Sequence, residues 1–330
     1  VIVNFKNIEN LKRCLESLTE TTYSPIEIIV VDCMTENIET WIETSFSHVK
    51  LIHFDHDIGP SASHNVGFNN SKGEFIAFLD NDTRVDPKWL EEPLSLFEKY
   101  PDAAVIQPMI LQMYEQKRID RAYNYIDLLG FGHHVGAGEI LRNQFNTVKE
   151  VFYADGAAFI AKRDAIKNVL LNNYDLFDPS YIIYYDETDF CWRVHLRGYK
   201  IFFSPNSIVY HCRTLSSMRS VPSRLIFFHA RNRIATLIKN YSSTNLIKHL
   251  PTLLFFEFSR ALVLLRVKPL HSLAILKAIF ASFRNLKNLW KKRLVVQLTI
   301  RKVPDSYYVK LMRKPNILFM YHAFTRYYAH

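Results

Sequence analysis

Acidic residues almost vanish from the last third of this sequence: from Arg213 onward there are two, Glu257 and Asp305, against 22 lysines and arginines. The preceding residues hold 30 acids and 19 bases, so the overall charge of +9 conceals an acidic part and a strongly basic one. Such segregation predicts different surroundings for the two parts. It points to an anionic membrane surface or nucleic acid as partner of the second, with a plain solvated basic face as the alternative. Cysteine is sparse too. Cys14, Cys33, Cys191 and Cys212 are scattered without a C-x-x-C pair, which argues against a zinc site or a disulfide framework and suits a reducing compartment. Long apolar runs are also missing: the most apolar window, residues 250–265, is 16 residues long and contains Glu257 and Arg260. A spanning helix needs about 20 apolar residues, so amphipathic helices at an interface, or packed on the rest of the chain, are expected instead. No internal repeat or low-complexity tract is visible, and VIVNF (1–5) reads as a buried strand rather than a signal peptide.

What remains is an ordinary globular composition, 48% hydrophobic and 22% charged, over 330 residues, enough for one large domain or a domain with an appendage. Short apolar runs alternate with helical patterns: VIVNF (1–5), IEIIVVD (26–32), VKLIHFD (49–55) and EFIAFLD (74–80), with Leu11, Leu15 and Leu18 on one helical face between the first two. This pattern predicts βαβ units and a parallel sheet buried on both faces. Asp86-Pro87 reads as a helix start and AAVIQPMI (103–110) as a further strand. GFGHHVGAG (130–138) reads as a mobile loop with a solvated histidine pair. Residues 151–166 read as strand, turn, strand and helix start; 188–197 as a helix closed by Gly198; 200–205 and 207–211 as two short strands. Consecutive helices are expected over 223–300.

Three clusters can carry chemistry. In FLDNDTRVD (78–86), Asp80 and Asp82 follow a buried strand, where they can offer oxygen ligands to Mg²⁺ or Mn²⁺ or simply make a turn. In YIIYYDETDF (181–190), Asp186, Glu187 and Asp189 gather at a helix start after an aromatic run. They can cap the helix, or one can act as a general base with a pKa raised by apolar surroundings. His211 ends SIVYH (207–211) and is either a metal ligand or a structural residue. Asp32 and Asp80 each close a predicted strand, the place where α/β sheets form their ligand crevice.

Taken together these pieces resemble the family 2 glycosyltransferases on a GT-A fold, in particular the rhamnosyltransferase-like branch. The resemblance rests on VIVNFKN (1–7), IIVVDCMTEN (28–37), GPSASHNVGFNNSKGEFIAFLDNDT (59–83), DGAAFIAKRDA (155–165), LFDPSYIIYYDETDFCWRVHLRGYKI (176–201) and VYH (209–211), in that order, with RNRIATLIKNYS (231–242) resembling a following helix. It implies a mostly parallel central sheet flanked by helices, with a C-terminal helical extension. It also implies an inverting, metal-dependent hexosyltransferase using a UDP- or dTDP-sugar. Asn4, Asp32, Asn65, Asp80 and Gly156 would bind the nucleotide-sugar; Asp80, Asp82 and His211 would hold Mn²⁺ or Mg²⁺. Where the family often has Glu-Asp-x-Asp, this chain has Asp186-Glu187-Thr188-Asp189. Glu187 therefore takes the base position, with Asp186 the alternative and Asp189 orienting the helix. A second departure is His64, where many members carry arginine.

The implied division is a catalytic domain over 1–211 and a basic, helical, membrane-associating region over 212–330. The implied setting is the cytoplasmic, inner face of the cell membrane, with a glycan or lipid-linked acceptor in cell-surface polysaccharide synthesis. A sugar nucleotidyltransferase is the competing enzyme class, but the stretch VIVNFKNIENL (1–11) lacks the glycine its phosphate loop would need. A degenerate sugar- or membrane-binding protein is the non-enzymatic alternative.

Overall fold

The structure is a computed structural model that describes residues 1–212 and 221–316. Its strands are β1 (Ile2–Phe5), β2 (Ile28–Cys33), β3 (Val49–Phe54), β4 (Phe75–Asp80), β5 (Thr83–Val85), β6 (Ala103–Gln112), β7 (Ile119–Arg121), β8 (Tyr123–Ile126), β9 (Gly132–Val135), β10 (Lys149–Glu150), β11 (Ala158–Lys162) and β12 (Lys200–His211). The first helices are α1 (Ile8–Thr19), α2 (Ile38–Ser45), α3 (Pro60–Asn70), α4 (Glu91–Lys99), α5 (Arg163–Lys167) and α6 (Asp186–Arg197). They are followed by α7 (Ser223–Asn240), α8 (Ser243–Val267), α9 (Pro269–Arg284), α10 (Leu286–Val295) and α11 (Ser306–Val309). The main sheet runs β10-β12-β6-β11-β4-β1-β2-β3, with β5 against β12 and β7 against β6. Strands β4, β1, β2 and β3 are parallel, as are β6 and β12, while β11 runs antiparallel between the two groups. The mostly parallel, helix-flanked sheet of the GT-A expectation is thus present.

Strand alternation places the core on both faces. Along β4, Phe78 joins Phe159, Phe177, Phe190 and Trp192 on one side, while Leu79 joins Ile2, Leu15, Val30 and Ile106 on the other. Helix α1 buries Leu11, Cys14, Leu15 and Leu18, and Asn7 caps it by accepting from the Asn10 amide at 3.0 Å. Helix α6 ends where Gly198 adopts φ 96°, a left-handed conformation that costs glycine little.

Several boundaries differ from the sequence expectations. Asp86 accepts from the Lys88 amide in a turn, and α4 begins only at Glu91. Residues 130–138 are no mobile loop: β8 and β9 pair antiparallel in a hairpin, and His133 is buried beside Asp127. Gly130, in the turn between β8 and β9, has positive φ, as do Gly136 and Gly138 after β9. The segment 151–154 follows the short strand β10 without continuing it. The stretches 200–205 and 207–211 form one strand, because a register shift between Ser204 and Ile208 absorbs the irregularity without breaking it.

The basic helices are firmly attached to the rest. Ile234, Leu237, Tyr241, Leu289 and Tyr308 enter the same core as Phe152, Phe159 and Trp192, so apolar packing runs across the sequence boundary near residue 211. Among the described residues no helix is long and apolar enough to cross a membrane.

Candidate active site

The carboxyl ends of β1, β2 and β4 gather the first group of polar residues. Parallel register sets Asn4 beside Asp32, and Asn4 Nδ2 donates to Asp32 Oδ1 at 2.6 Å. Both side chains are fully buried. Asp32 also accepts from the Thr35 hydroxyl at 2.6 Å and amide at 3.2 Å, and it pairs with His53 Nδ1 at 2.8 Å. Asn81 donates to Asn4 Oδ1 at 2.5 Å, which ties this group to the D-x-D turn. Thr35, His53 and Asn81 were not singled out in the sequence, where they are unremarkable polar residues after strands.

The second group forms because β12 runs antiparallel to β5, with His211 opposite Thr83. That pairing delivers His211 to Asp80 and Asp82 across 130 residues of chain. Ligand-type atoms of Asp80, Asp82 and His211 all lie within 4.8 Å of one another, and His211 Nε2 is 3.3 Å from Asp82 Oδ1. Burial, then the Asp82 charge, pushes the Asp80 carboxyl up to about 7. Burial opposes charge on His211, but hydrogen bonds to Asp120 and Asp82 override it and push the ring up to about 11. Two hard oxygen ligands and an imidazole suit Mn²⁺ or Mg²⁺.

The third group is the start of α6. The helix begins at Asp186, two residues before the sequence boundary, so Asp186, Glu187 and Asp189 all stand in its first turn. The approach is strained, with Ile182, Tyr184 and Tyr185 at positive φ. Asn232 of α7 holds it there, donating to the carbonyls of Tyr181, Ile183 and Tyr184 at 2.8–3.0 Å. Asp186 accepts from Ser61 Oγ of α3 at 3.0 Å. Glu187 stands beside Gly156, where an added Cβ would lie 4.0 Å from Oε2. Burial, then the Asp186 charge, raises the Glu187 carboxyl well above its ordinary range. Asp155 contributes to the fields at both Asp80 and Glu187.

The side chains of Asn65 and Asp189 are engaged within the fold. Asn65 accepts from the Phe177 amide and donates to its carbonyl, both at 2.8 Å, so its amide clamps the loop leading to α6. Asp189 is fully buried and binds Arg193 at 3.1 Å, Lys239 at 2.9 Å and Asn240 at 2.8 Å. Burial also pushes His64 down to about 4 among Phe78 and Phe177, leaving a neutral ring rather than a phosphate-pairing cation.

A helix-flanked sheet with two acids and a histidine at its strand ends, and a carboxylate pair at the start of a flanking helix, has the architecture of GT-A transferases. The chain matches the family described as "Glycosyl transferase family 2" over residues 1–170, and it belongs to that family. It is 27% identical over 213 residues to the "Pre-mycofactocin glycosyltransferase" of Mycobacterium tuberculosis, covering 62% of this chain and 40% of that protein. It is 32% identical over 101 residues to "Glycosyltransferase AglE" of Haloferax volcanii, covering 29% of this chain and 33% of that one. The chain thus spans less than half the length of these relatives. Among solved structures, S. aureus TarS 1–349 in complex with UDP-GlcNAc gives a TM-score of 0.56 at 16% identity, covering 90% of this chain and 89% of that one. GalNAc-T7 with UDP, GalNAc and Mn²⁺ gives 0.58 at 16% identity, covering 74% and 48%. These likenesses show a shared fold.

Proposed function

We propose that this chain transfers a sugar, with inversion, from a UDP- or dTDP-sugar to a glycan or lipid-linked acceptor at an anionic membrane surface. The observation that carries the transfer reading is the Asp80–Asp82–His211 cluster in one electrostatic site with the raised Glu187 carboxyl. Asn4, Asp32 and Gly156 form the donor side of the site, and the solved structures with UDP-GlcNAc or with UDP and Mn²⁺ support the donor class. A divalent cation on Asp80, Asp82 and His211 would neutralise the departing diphosphate. Glu187 takes the proton of the acceptor hydroxyl as its oxygen attacks the anomeric carbon. The bond from that carbon to the diphosphate breaks on the opposite face, and its electron pair leaves with the nucleotide. Asp186, held by Ser61, lies beside Glu187 and helps raise its carboxyl, which makes Glu187 a stronger base once ionised.

Nucleotide-sugar turnover measured with and without Mn²⁺ tests the reading. Asp82→Ala and chelation should each abolish turnover. Glu187→Gln should lower kcat about 10²–10⁴-fold while donor affinity survives. Metal-independent transfer, or a fully active Glu187→Gln protein, overturns it.

The membrane part rests on the surface of α8 and α9. Phe255, Phe258, Leu262, Leu270, Phe280 and Phe283 are exposed there. Lys248, Arg266, Lys277 and Arg284 are exposed on the same helices, whose one acid, Glu257, is buried. Apolar and basic groups without exposed acid match an anionic lipid interface.

A further inference from the structure

Histidine binds a cation through the lone pair of one ring nitrogen, so the other nitrogen must carry the proton and something must hold it there. In His211 the nitrogen facing away from Asp82 is Nδ1, and it lies 2.7 Å from Asp120 Oδ2. Asp120 Oδ2 is placed to accept a proton from Nδ1, while Nε2, 3.3 Å from Asp82 Oδ1, is turned toward the acids. Asp120 comes from β7, which lies on the opposite side of β6 from β12. It is 2% exposed, so the contact is shielded from water and from salt. A buried carboxylate needs support of its own. Arg121 Nη1 donates to Asp120 Oδ1 at 2.9 Å, and Arg121 Nε reaches Asp155 Oδ2 at 3.3 Å. Asp155 in turn accepts from the Ala157 amide at 3.2 Å, beside Gly156 and Glu187. A continuous polar chain therefore runs from Asp82 through His211, Asp120, Arg121 and Asp155 to the neighbourhood of Glu187.

We propose that Asp120 is a positioning residue for the cation site: it holds the Nδ1–H of His211 so that Nε2 faces the cation, and Arg121 holds Asp120. This rests on the cation site proposed above. Nothing in RIDRAY (118–123) marks Asp120 in the sequence, because its meaning depends on a histidine 91 residues away.

The test is Mn²⁺ affinity of the full chain without donor or acceptor, read by electron paramagnetic resonance. Wild type is compared with Asp120→Ala, Asp120→Asn, His211→Ala and Asp82→Ala. Asp120→Ala should bind Mn²⁺ about 10–100-fold more weakly and lose the histidine-nitrogen coupling to the bound ion. Asp120→Asn, which keeps an accepting oxygen and nearly the same shape, should recover part of both and guards against a folding defect in the alanine variant. Unchanged affinity and coupling in folded Asp120→Ala and Asp120→Asn, with loss in His211→Ala, overturns the proposal alone. Unchanged affinity in His211→Ala and Asp82→Ala overturns the cation site and the proposal with it.

Discussion

At Glu187 the burial that shifts the carboxyl also opposes folding. The carboxyl is raised well above its ordinary range. Between the unfolded value of about 4.3 and the higher folded value, the folded chain keeps a proton that the unfolded chain has released. Stability therefore falls as pH rises through that window. Glu187→Gln removes this dependence. The variant should unfold at a higher temperature than wild type at pH 7, with the gap closing below about pH 4.3. Thermal unfolding across pH checks this, and a Gln variant less stable at pH 7 would contradict it. The same titration governs activity: transfer should rise with pH as the raised Glu187 carboxyl loses its proton. At this scale Asp80, Asp82, Asp186, Glu187 and His211 were visible in the sequence, because acids and histidine at strand and helix ends stand out. Asp120, Thr35 and His53 were not, because each matters only through a partner far along the chain.

Among the elements, α6 and α7 behave as one unit. Lys239 of α7 is fully buried and reaches Asp178 at 2.8 Å and Asp189 at 2.9 Å, while Lys292 of α10 reaches Asp178 at 2.6 Å. Burial would raise the Asp178 carboxyl, but Lys239 and Lys292 together hold it far below the carboxylate range. Lys239→Met would strand buried negative charge and should cost about 3–5 kcal/mol of stability, measured by urea unfolding. Because Asp178 is depressed in the folded state, its contribution is present above the unfolded value of about 3.9 and is lost as pH falls below it. The acid limb of unfolding should therefore flatten in Asp178→Asn. The helical pattern of 223–240 was legible, but the task of α7 was not. Nothing in the sequence marks Asn232 or Lys239, and only packing turns them inward against the loop and helix that carry Glu187.

Over the whole molecule, charge and apolar surface lie together on α8 and α9. The chain should float with vesicles containing anionic lipid, less at high salt, and not with neutral vesicles. Replacing Phe255, Phe258 and Phe280 by serine should abolish flotation without lowering the unfolding temperature, since these side chains are exposed. A chain that ignores anionic vesicles, or that dimerises through this face, would remove the membrane from the proposed function and leave sugar transfer untouched. The charge asymmetry announced this surface in the sequence. The exposure of the apolar residues did not follow from it, because a helical pattern rich in Leu and Phe is equally compatible with a buried pair.

The sequence by itself determined the βαβ order, the strand ends that carry acids, the family and the split between acidic and basic parts, because each is a local pattern of period or type. Tertiary structure alone decided that His211 also meets Asp120, that Asn65 clamps the loop before α6 and that the basic helices share a core with the sheet. Those outcomes depend on which distant groups satisfy one another in a water-poor interior, where burial makes an unpaired polar group costly. Residue type fixes what a side chain can do; the fold selects the partner with which it does it.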